Sequence, residues 1–303
     1  MIMDWTSRDT VEVIYRLLAV KGVGTVQTNR ILFSIQNKVG TVSELEMNIR
    51  MQLSEEQRHE FDTCYTLSQH TPEVEFLTVL APQYPQVLIT FLRQNTPTVL
   101  SCIGNLGLLN KLKVGFCGSR NASEKGLWIA GDCASQLAER DICIMSGYAK
   151  GVDMAAHKAA LKSGGSTIIV LPEGIDAFHV KEDIRDDWDW NRVLVVSEFM
   201  PNDGWMASRA MQRNNTIIAL SDTVFVVEAG DTGGSLDAGL KTITMGKSLF
   251  VPFYAQLPDS AKGNPILVAK GAQTMGKQRH TSRVNIEGLV GSLGKQREPE
   301  LAF

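Results

Sequence analysis

Long apolar runs are missing from this chain of 303 residues. A membrane-spanning helix needs about 20 consecutive apolar residues, and no stretch here comes close. The N-terminal MIMDWTSRDTVEV also lacks the basic start and apolar core of a secretory signal. A cytoplasmic protein with no membrane partner is expected. Cysteine is scarce: Cys64, Cys102, Cys117, Cys133 and Cys143 are odd in number, and no two form a C-x-x-C pair. That argues against a disulfide frame or a zinc site, and the thiols are expected to be buried in a reducing compartment. A large charge of either sign is absent too, the formal net charge being -3. This argues against bulk, nonspecific coating of nucleic acid but leaves room for a local basic patch, because the field in a cleft depends on how charge is distributed. No G-x-x-x-x-G-K-[ST] occurs, which excludes a P-loop ATPase. No G-x-G-x-x-G is followed by a ribose-binding acid, which argues against nicotinamide. No cofactor and no metal are expected. There is no internal repeat and no long low-complexity segment.

What is present is an ordinary globular balance, 44% hydrophobic and 21% charged. Residues 1–70 read as helical. Apolar residues recur at helical spacing over 10–20, and VKGVGTVQTNRILFSI, SELEMNIR and SEEQRHEFDTCYTLSQ follow. Pro72, Pro82, Pro85 and Pro97 then cluster, which disfavours regular helix and marks 71–111 as a connecting region. From about residue 112 the pattern changes. KVGFCG, DICIMS, STIIVLP, RVLVVSEF, DTVFVVEAG and KSLFVPF are short, continuously apolar runs, as strands buried on both faces should be. Segments of helical spacing separate them, which implies crossovers and a parallel sheet. The expected fold class is α/β, a doubly wound, mostly parallel sheet over 112–276 with a small helical N-terminal domain. The segment 277–303 is expected to be a flexible basic tail, since from Lys270 onward six Lys/Arg stand against three Glu.

Ligands of open parallel sheets bind beyond the carboxyl ends of strands, and four unusual loops fall at such ends. The stretch 146–161, SGYAKGVDMAAHKAAL, is the most informative. A strand, a small-residue turn and a helix make an anion site, with turn N–H groups pointing outward and Lys150 as a point charge. Asp153 is expected to cap the helix. The plain alternative is a strand-to-helix connection. GSRNAS at 118–123 offers Gly118 for close approach, with Ser119 and Arg120 for phosphate. In EAGDTGGSLDAG at 228–239, Gly233 and Gly234 let the backbone curl and Ser235 can cap. LPEGID at 171–176 is the fourth. Arg213, Asn214 and Asn215 of RAMQRNN are expected where a helix starts, suited either to phosphate and base edges or to capping.

KGVGTVQTNRIL has the form of a helix-hairpin-helix whose amides, around Lys21, Gly22 and Gly24, could meet a phosphate; a hairpin that serves only packing fits slightly better. His157 reads as a core histidine. Glu173, Asp176, Glu198 and Glu228 end strands, as acid/base groups or loop caps. The acidic run 181–190 reads as a solvated helix face, its two tryptophans able to anchor a partner.

Residues 114–275 resemble the DprA/Smf family of DNA-processing proteins. The matching elements, in order, are GSR at 118–120, SGYAKGVDMAAHKAAL at 146–161, GGSTIIVLPEGID at 164–176, SEF at 197–199, RNNTIIALSDTVFVVEA at 213–229, GGSLDAG at 233–239, VPF at 251–253 and GN…GA at 263–272. The resemblance implies an extended Rossmann-like core that dimerises, binds single-stranded DNA, loads RecA onto it in natural transformation, and performs no catalysis. Carried over by position, Gly118, Ser119, Arg120, Ser146, Gly147, Lys150, Gly151, Arg213 and Asn214 would line the DNA cleft. The chain departs from the family pattern at Asn215 and Thr232, each in place of an Arg, at Gly233 in place of a Ser, and at His179-Val180 in place of an aromatic-Pro step.

The expected function is therefore a non-catalytic, single-stranded DNA-binding mediator of DNA processing and recombination. It could act in transformation or in a mobile-element or phage-defence setting, with RecA or the product of a neighbouring gene as partner. Two other classes stay open: a nucleotide sensor or phosphoribohydrolase-like enzyme on the same fold, and an antitoxin or regulatory protein that has lost the ligand.

Overall fold

A computed structural model of the chain describes residues 3–63 and 73–294. The chain divides into two units. The smaller comprises Met1–Ile103, Glu173–Phe178 and Val196–Trp205, and the larger Gly104–Pro172, His179–Val195 and Met206–Phe303.

In the smaller unit, α1 (Arg8–Ala19), α2 (Gly24–Ile35), α3 (Val42–Met51) and α4 (Glu55–Thr63) form a helical group. Ser7 caps α1 by accepting from the Thr10 amide, and Thr41 with Glu44 makes a reciprocal capping box at α3. Apolar residues at helical spacing, among them Ile14, Leu17, Leu32, Leu45, Ile49 and Phe61, are fully buried. Over its described residues, 73–111, the expected connecting region is structured instead. It holds β1 (Glu75–Thr78), α5 (Gln86–Leu92) and β2 (Val99–Gly104), with β1 antiparallel to β2 and Phe76 opposite Ser101. The prolines punctuate short elements: Pro85 is the N-cap of α5, and the Pro97 carbonyl accepts from Tyr84 Oη at 2.6 Å. The helices tie to this segment through Tyr15 Oη and Ser101 Oγ (2.9 Å) and through Asn29 Nδ2 donating to the Thr96 carbonyl (2.8 Å).

The larger unit carries β3 (Lys113–Cys117), α6 (Glu124–Ala138), β4 (Cys143–Ser146), α7 (Val152–Lys162), β5 (Thr167–Leu171), α8 (Glu182–Arg185), β6 (Val193–Ser197), α9 (Ala207–Leu220), β7 (Thr223–Val226), α10 (Gly234–Thr244), β8 (Ser248–Pro252), α11 (Asn264–Ala269), β9 (Gln273–Met275) and α12 (Glu287–Val290). The strands run in the order β6-β5-β4-β3-β7-β8-β9. The pairs from β5 across to β9 are parallel. The chain works outward from β3 to β6, then crosses back and lays β7 against the other side of β3. Strand order thus reverses between β3 and β7, the point where open α/β sheets bind ligands.

Both faces are covered, so the strands show no alternation. One core packs Phe116, Ile144, Phe225 and Phe250 under Ile129, Cys133 and Leu137 of α6 and Ala156 and Ala160 of α7. The other packs Cys117, Val224, Val226, Leu249 and Val251 against Ile218, Ala238 and Leu267. The expected α/β class, doubly wound with a helical N-terminal region, is the one observed. The expected flexible tail is not, over the residues described. Val284, Ile286 and Leu289 are buried in the first core, and Lys277 bridges Val284. A basic composition concealed three apolar residues that the sheet face needs. Residues 295–303 lie outside the described part. No helix among the described residues is long and apolar enough to cross a membrane.

Candidate nucleic-acid interface

The loops after β3, β4 and β7 meet at the point of strand reversal. After β3, the Ser119 amide donates to the Glu228 carbonyl at the end of β7 (2.8 Å), and the Ser119 carbonyl accepts from the Val152 amide at the start of α7 (3.4 Å). A Cβ on Gly118 would lie 2.5 Å from Val152 Cγ2, so the loop and α7 touch there. Arg120 projects from this loop and is exposed. Ser123 then caps α6.

After β4 the turn differs from the expectation. Ser146 is buried and donates its hydroxyl inward to the Phe116 carbonyl (2.7 Å). The amides of Gly147 and Ala149 both donate to Asp153 Oδ2 (3.2 Å each). Asp153 therefore does not cap α7; Gly151 holds that position. The Asp153 carboxylate turns back and fills the turn's own anion position, and those two amides are not left pointing outward. Burial raises the Asp153 pKa, while Arg213 opposes the rise. Gly151 has φ +79, and a Cβ there would lie 2.4 Å from the Ser119 carbonyl oxygen, so only glycine fits between the two loops. Lys150 is exposed beside it.

Arg213 lies well inside α9, which begins six residues earlier at Ala207, and not at a helix start. It is 5% exposed. A Cβ on Gly147 would lie 1.5 Å from Arg213 Nη1, so the guanidinium packs directly on that glycine. Asn214 and Asn215 are half-buried on the next positions of the helix. Asn214 Nδ2 lies 3.9 Å from where a Gly234 Cβ would be, which joins α9 to the last loop. There Gly233, at φ +97, is the N-cap of α10, which begins with Gly234 and Ser235. The four segments thus form one run along the carboxyl edge of the sheet. Of the expected residues, Arg120, Lys150 and Gly233 are exposed, whereas Ser146, Gly147 and Arg213 are buried. Lys21, Gly22 and Gly24 belong to the smaller unit. All three are exposed, Lys21 and Gly22 in the turn between α1 and α2 and Gly24 at the first position of α2, and the Lys21 amide donates to Glu60 Oε2 (2.9 Å).

Three groups carry more than the sequence suggested. Glu228 is fully buried; its carboxylate accepts from the Ser123 amide (2.8 Å) and hydroxyl (2.5 Å), Tyr254 Oη (2.9 Å) and Ser260 Oγ (2.6 Å). It is a loop anchor. Tyr148 sits at φ +64, and Lys181 braces it: Nζ donates to the Tyr148 carbonyl (2.5 Å) and stands 4.1 Å from the ring centroid. Lys181 opens the acidic run that reads as a solvated face, and the run's Trp188 and Trp190 meet edge to face at 5.1 Å. His157 is a core residue, as its sequence context suggests. Nδ1 lies 2.7 Å from Thr167 Oγ1, and burial, then Lys181 and Arg213, push its pKa down to about 3. The Cys102, Cys117, Cys133 and Cys143 thiols are buried and free, with burial pushing Cys117 up to about 12; Cys64 lies outside the described residues.

The family model of DNA recombination-mediator protein A matches residues 75–284. The chain belongs to this family, the DprA/Smf proteins. It is 36% identical to DNA processing protein DprA of Streptococcus pneumoniae over 180 residues, 59% of this chain and 64% of that protein. It is 29% identical to the DprA of Bacillus subtilis over 67% of this chain and 68% of that one. With protein Smf of Escherichia coli it shares 34% identity over 55% of this chain and 44% of the relative. The solved structure of the S. pneumoniae protein superposes with a TM-score of 0.68 at 26% identity, covering 88% of this chain and 94% of that chain. DNA processing protein A of Helicobacter pylori, whose structure was solved for its single-stranded DNA binding mode, gives 0.57 at 26% identity over 67% of this chain and 90% of that one. The DprA/Smf match begins at β1 and ends at Val284. It therefore takes in the strands of the smaller unit and the turn after β9.

Proposed function

We propose that this chain is a non-catalytic, single-stranded DNA-binding mediator of DNA processing and recombination. Membership of the DprA/Smf family and the binding mode studied in the H. pylori relative support the reading. The observation that carries it is the continuous run of strand-end loops at the β3/β7 reversal, with Arg120 and Lys150 exposed on it. An open edge with separated cations suits an extended phosphodiester, whose contacts position the strand without reading its sequence. The half-buried Asn214, Asn215 and Ser235 and the exposed Gly233 would supply neutral contacts beside them. The exposed turn at Lys21, Gly22 and Gly24 would give a second phosphate contact. RecA is the partner onto which the bound strand would pass, the working state is a homodimer, and the compartment is the cytoplasm.

Titration with single-stranded oligonucleotides across salt tests this. Arg120→Ala and Lys150→Ala should each weaken binding about tenfold at low salt. Each should also flatten the dependence of log K on log salt by about 0.7, the slope of one lost phosphate contact on a single strand. A parent protein with no measurable oligonucleotide affinity at low salt sinks the reading. Thermal stabilisation by a nucleoside monophosphate, or release of its base, would favour the nucleotide-processing class instead.

A further inference from the structure

The strand-end loops offer phosphate contacts but little for the bases, since Tyr148 is buried and braced by Lys181. An aromatic surface lies directly after the GSRNAS loop, on the first turns of α6. Trp128 is 44% exposed there, off the stripe of Gly126, Ile129, Ala130 and Cys133 that α6 buries. Lys277, just past β9, holds Nζ 5.9 Å from the Trp128 ring centroid. Lys125 stands three residues before Trp128, on the same helix face, and its Nζ is 5.3 Å from the Tyr254 ring. Both lysines are exposed.

Asp132, one turn further on, is committed elsewhere. It pairs with Arg283 Nε (2.8 Å) and accepts from the Val284 amide (2.7 Å) and Gln136 Nε2 (2.9 Å). Glu124 is the opposing exposed carboxylate on the first turn. Phe253, just past β8, is 67% exposed, its amide donating to the Met275 carbonyl at 2.7 Å. A half-open indole with one ammonium group over a face and a second lysine on the same helix face has the make-up of a single-strand stacking platform: a π-face for one base and charges for its flanking phosphates.

We propose that Trp128, with Lys125 and Lys277 beside it, stacks a base of the single strand whose phosphates run on from Arg120. The proposal rests on reading the strand-end loops as a DNA site, and it extends that site along α6 toward the end of β9. Stacking needs no particular base, so the expected ligand is single-stranded nucleic acid of any sequence.

The test compares the parent, Trp128→Ala, Trp128→Phe, Lys277→Ala and Arg120→Ala on oligothymidylates of about 5 and about 20 nucleotides. Trp128→Ala should weaken the long oligonucleotide about tenfold and leave the short one unchanged, and Trp128→Phe should restore most of the loss. On a long oligonucleotide with abasic sites, parent and Trp128→Ala should bind alike. Lys277→Ala should flatten the salt slope on the long oligonucleotide by about 0.7. Equal binding of the long oligonucleotide by parent and Trp128→Ala, with Arg120→Ala still weakened, overturns this inference and leaves the loop site standing. Absence of oligonucleotide binding by the parent overturns both.

Discussion

Glu228→Ala should lower stability by about 4 kcal/mol, the largest effect expected of a single substitution outside the apolar core. Glu228 has no exposed surface and satisfies four donors from three segments: the start of α6, Tyr254 after β8, and Ser260. Truncation strands those donors. Each buried polar group left unpaired costs about 1–3 kcal/mol, and the half-buried Ser123 and Ser260 recover part of theirs from water. In a protein of this size the loss corresponds to a melting temperature lower by about 6 °C. Glu228→Gln keeps the shape but turns one acceptor into a donor facing donors, so an intermediate loss of about 2 kcal/mol is expected. Gly126 makes the same point from the other side, since a Cβ there would lie 2.3 Å from Glu228 Oε1. Urea denaturation followed by circular dichroism reads both variants. A Glu228→Ala protein as stable as the parent would show that the carboxylate anchors nothing. Because the Glu228 carbonyl also holds the Ser119 amide, oligonucleotide affinity should fall together with stability.

Much of this architecture was legible because of what burial on two faces does to a sequence. The runs that became β3, β5, β6 and β8 are continuous in apolar residues, and glycines and small residues mark the turns after them. Those turns are where the parallel sheet brings its loops together. Proline does not mark a linker over 73–111: Pro85 starts a helix and Pro97 precedes a strand. Over 277–294 a basic composition hides Val284, Ile286 and Leu289, which the core takes up. In the candidate site the readable residues were the exposed ones. Arg120 and Lys150 project from loops that composition identifies. Arg213 has the same residue type but is buried, and its role depends on Gly147 and Asp153, which come from a different strand-to-helix turn. Pairing across that distance leaves no trace in spacing. The signal was a glycine, and one sequence cannot say which side chain the glycine makes room for.

Arg213→Ala should cost about 3 kcal/mol at neutral pH, and that deficit should shrink on acidification. Arg213 is buried against Gly147, and its charge opposes the rise that burial imposes on the Asp153 pKa. Without it Asp153 keeps two amide hydrogen bonds but loses its counter-charge, the circumstance in which removing one partner is most damaging. The sign follows from linkage. A carboxyl whose folded pKa stands above its usual 3.8 contributes stability that is complete below 3.8 and lost as pH rises through the folded value. Removing Arg213 raises that value further, so more is lost at neutral pH and more is regained on acidification. His157 acts in the same direction. Arg213 is one cause of its depressed pKa, so the variant loses less when the imidazole is pushed toward protonation. Urea denaturation at pH 7 and pH 5 reads the difference, and a deficit that does not change with pH would remove Asp153 from the account. The same variant separates two roles for Arg213 in DNA binding. If the guanidinium acts by shaping the turn between Gly147 and Lys150, affinity falls while the salt slope stays at the parent value. A direct phosphate contact would instead flatten the slope by about 0.7. With the side chain 5% exposed, an unchanged slope is the expected result.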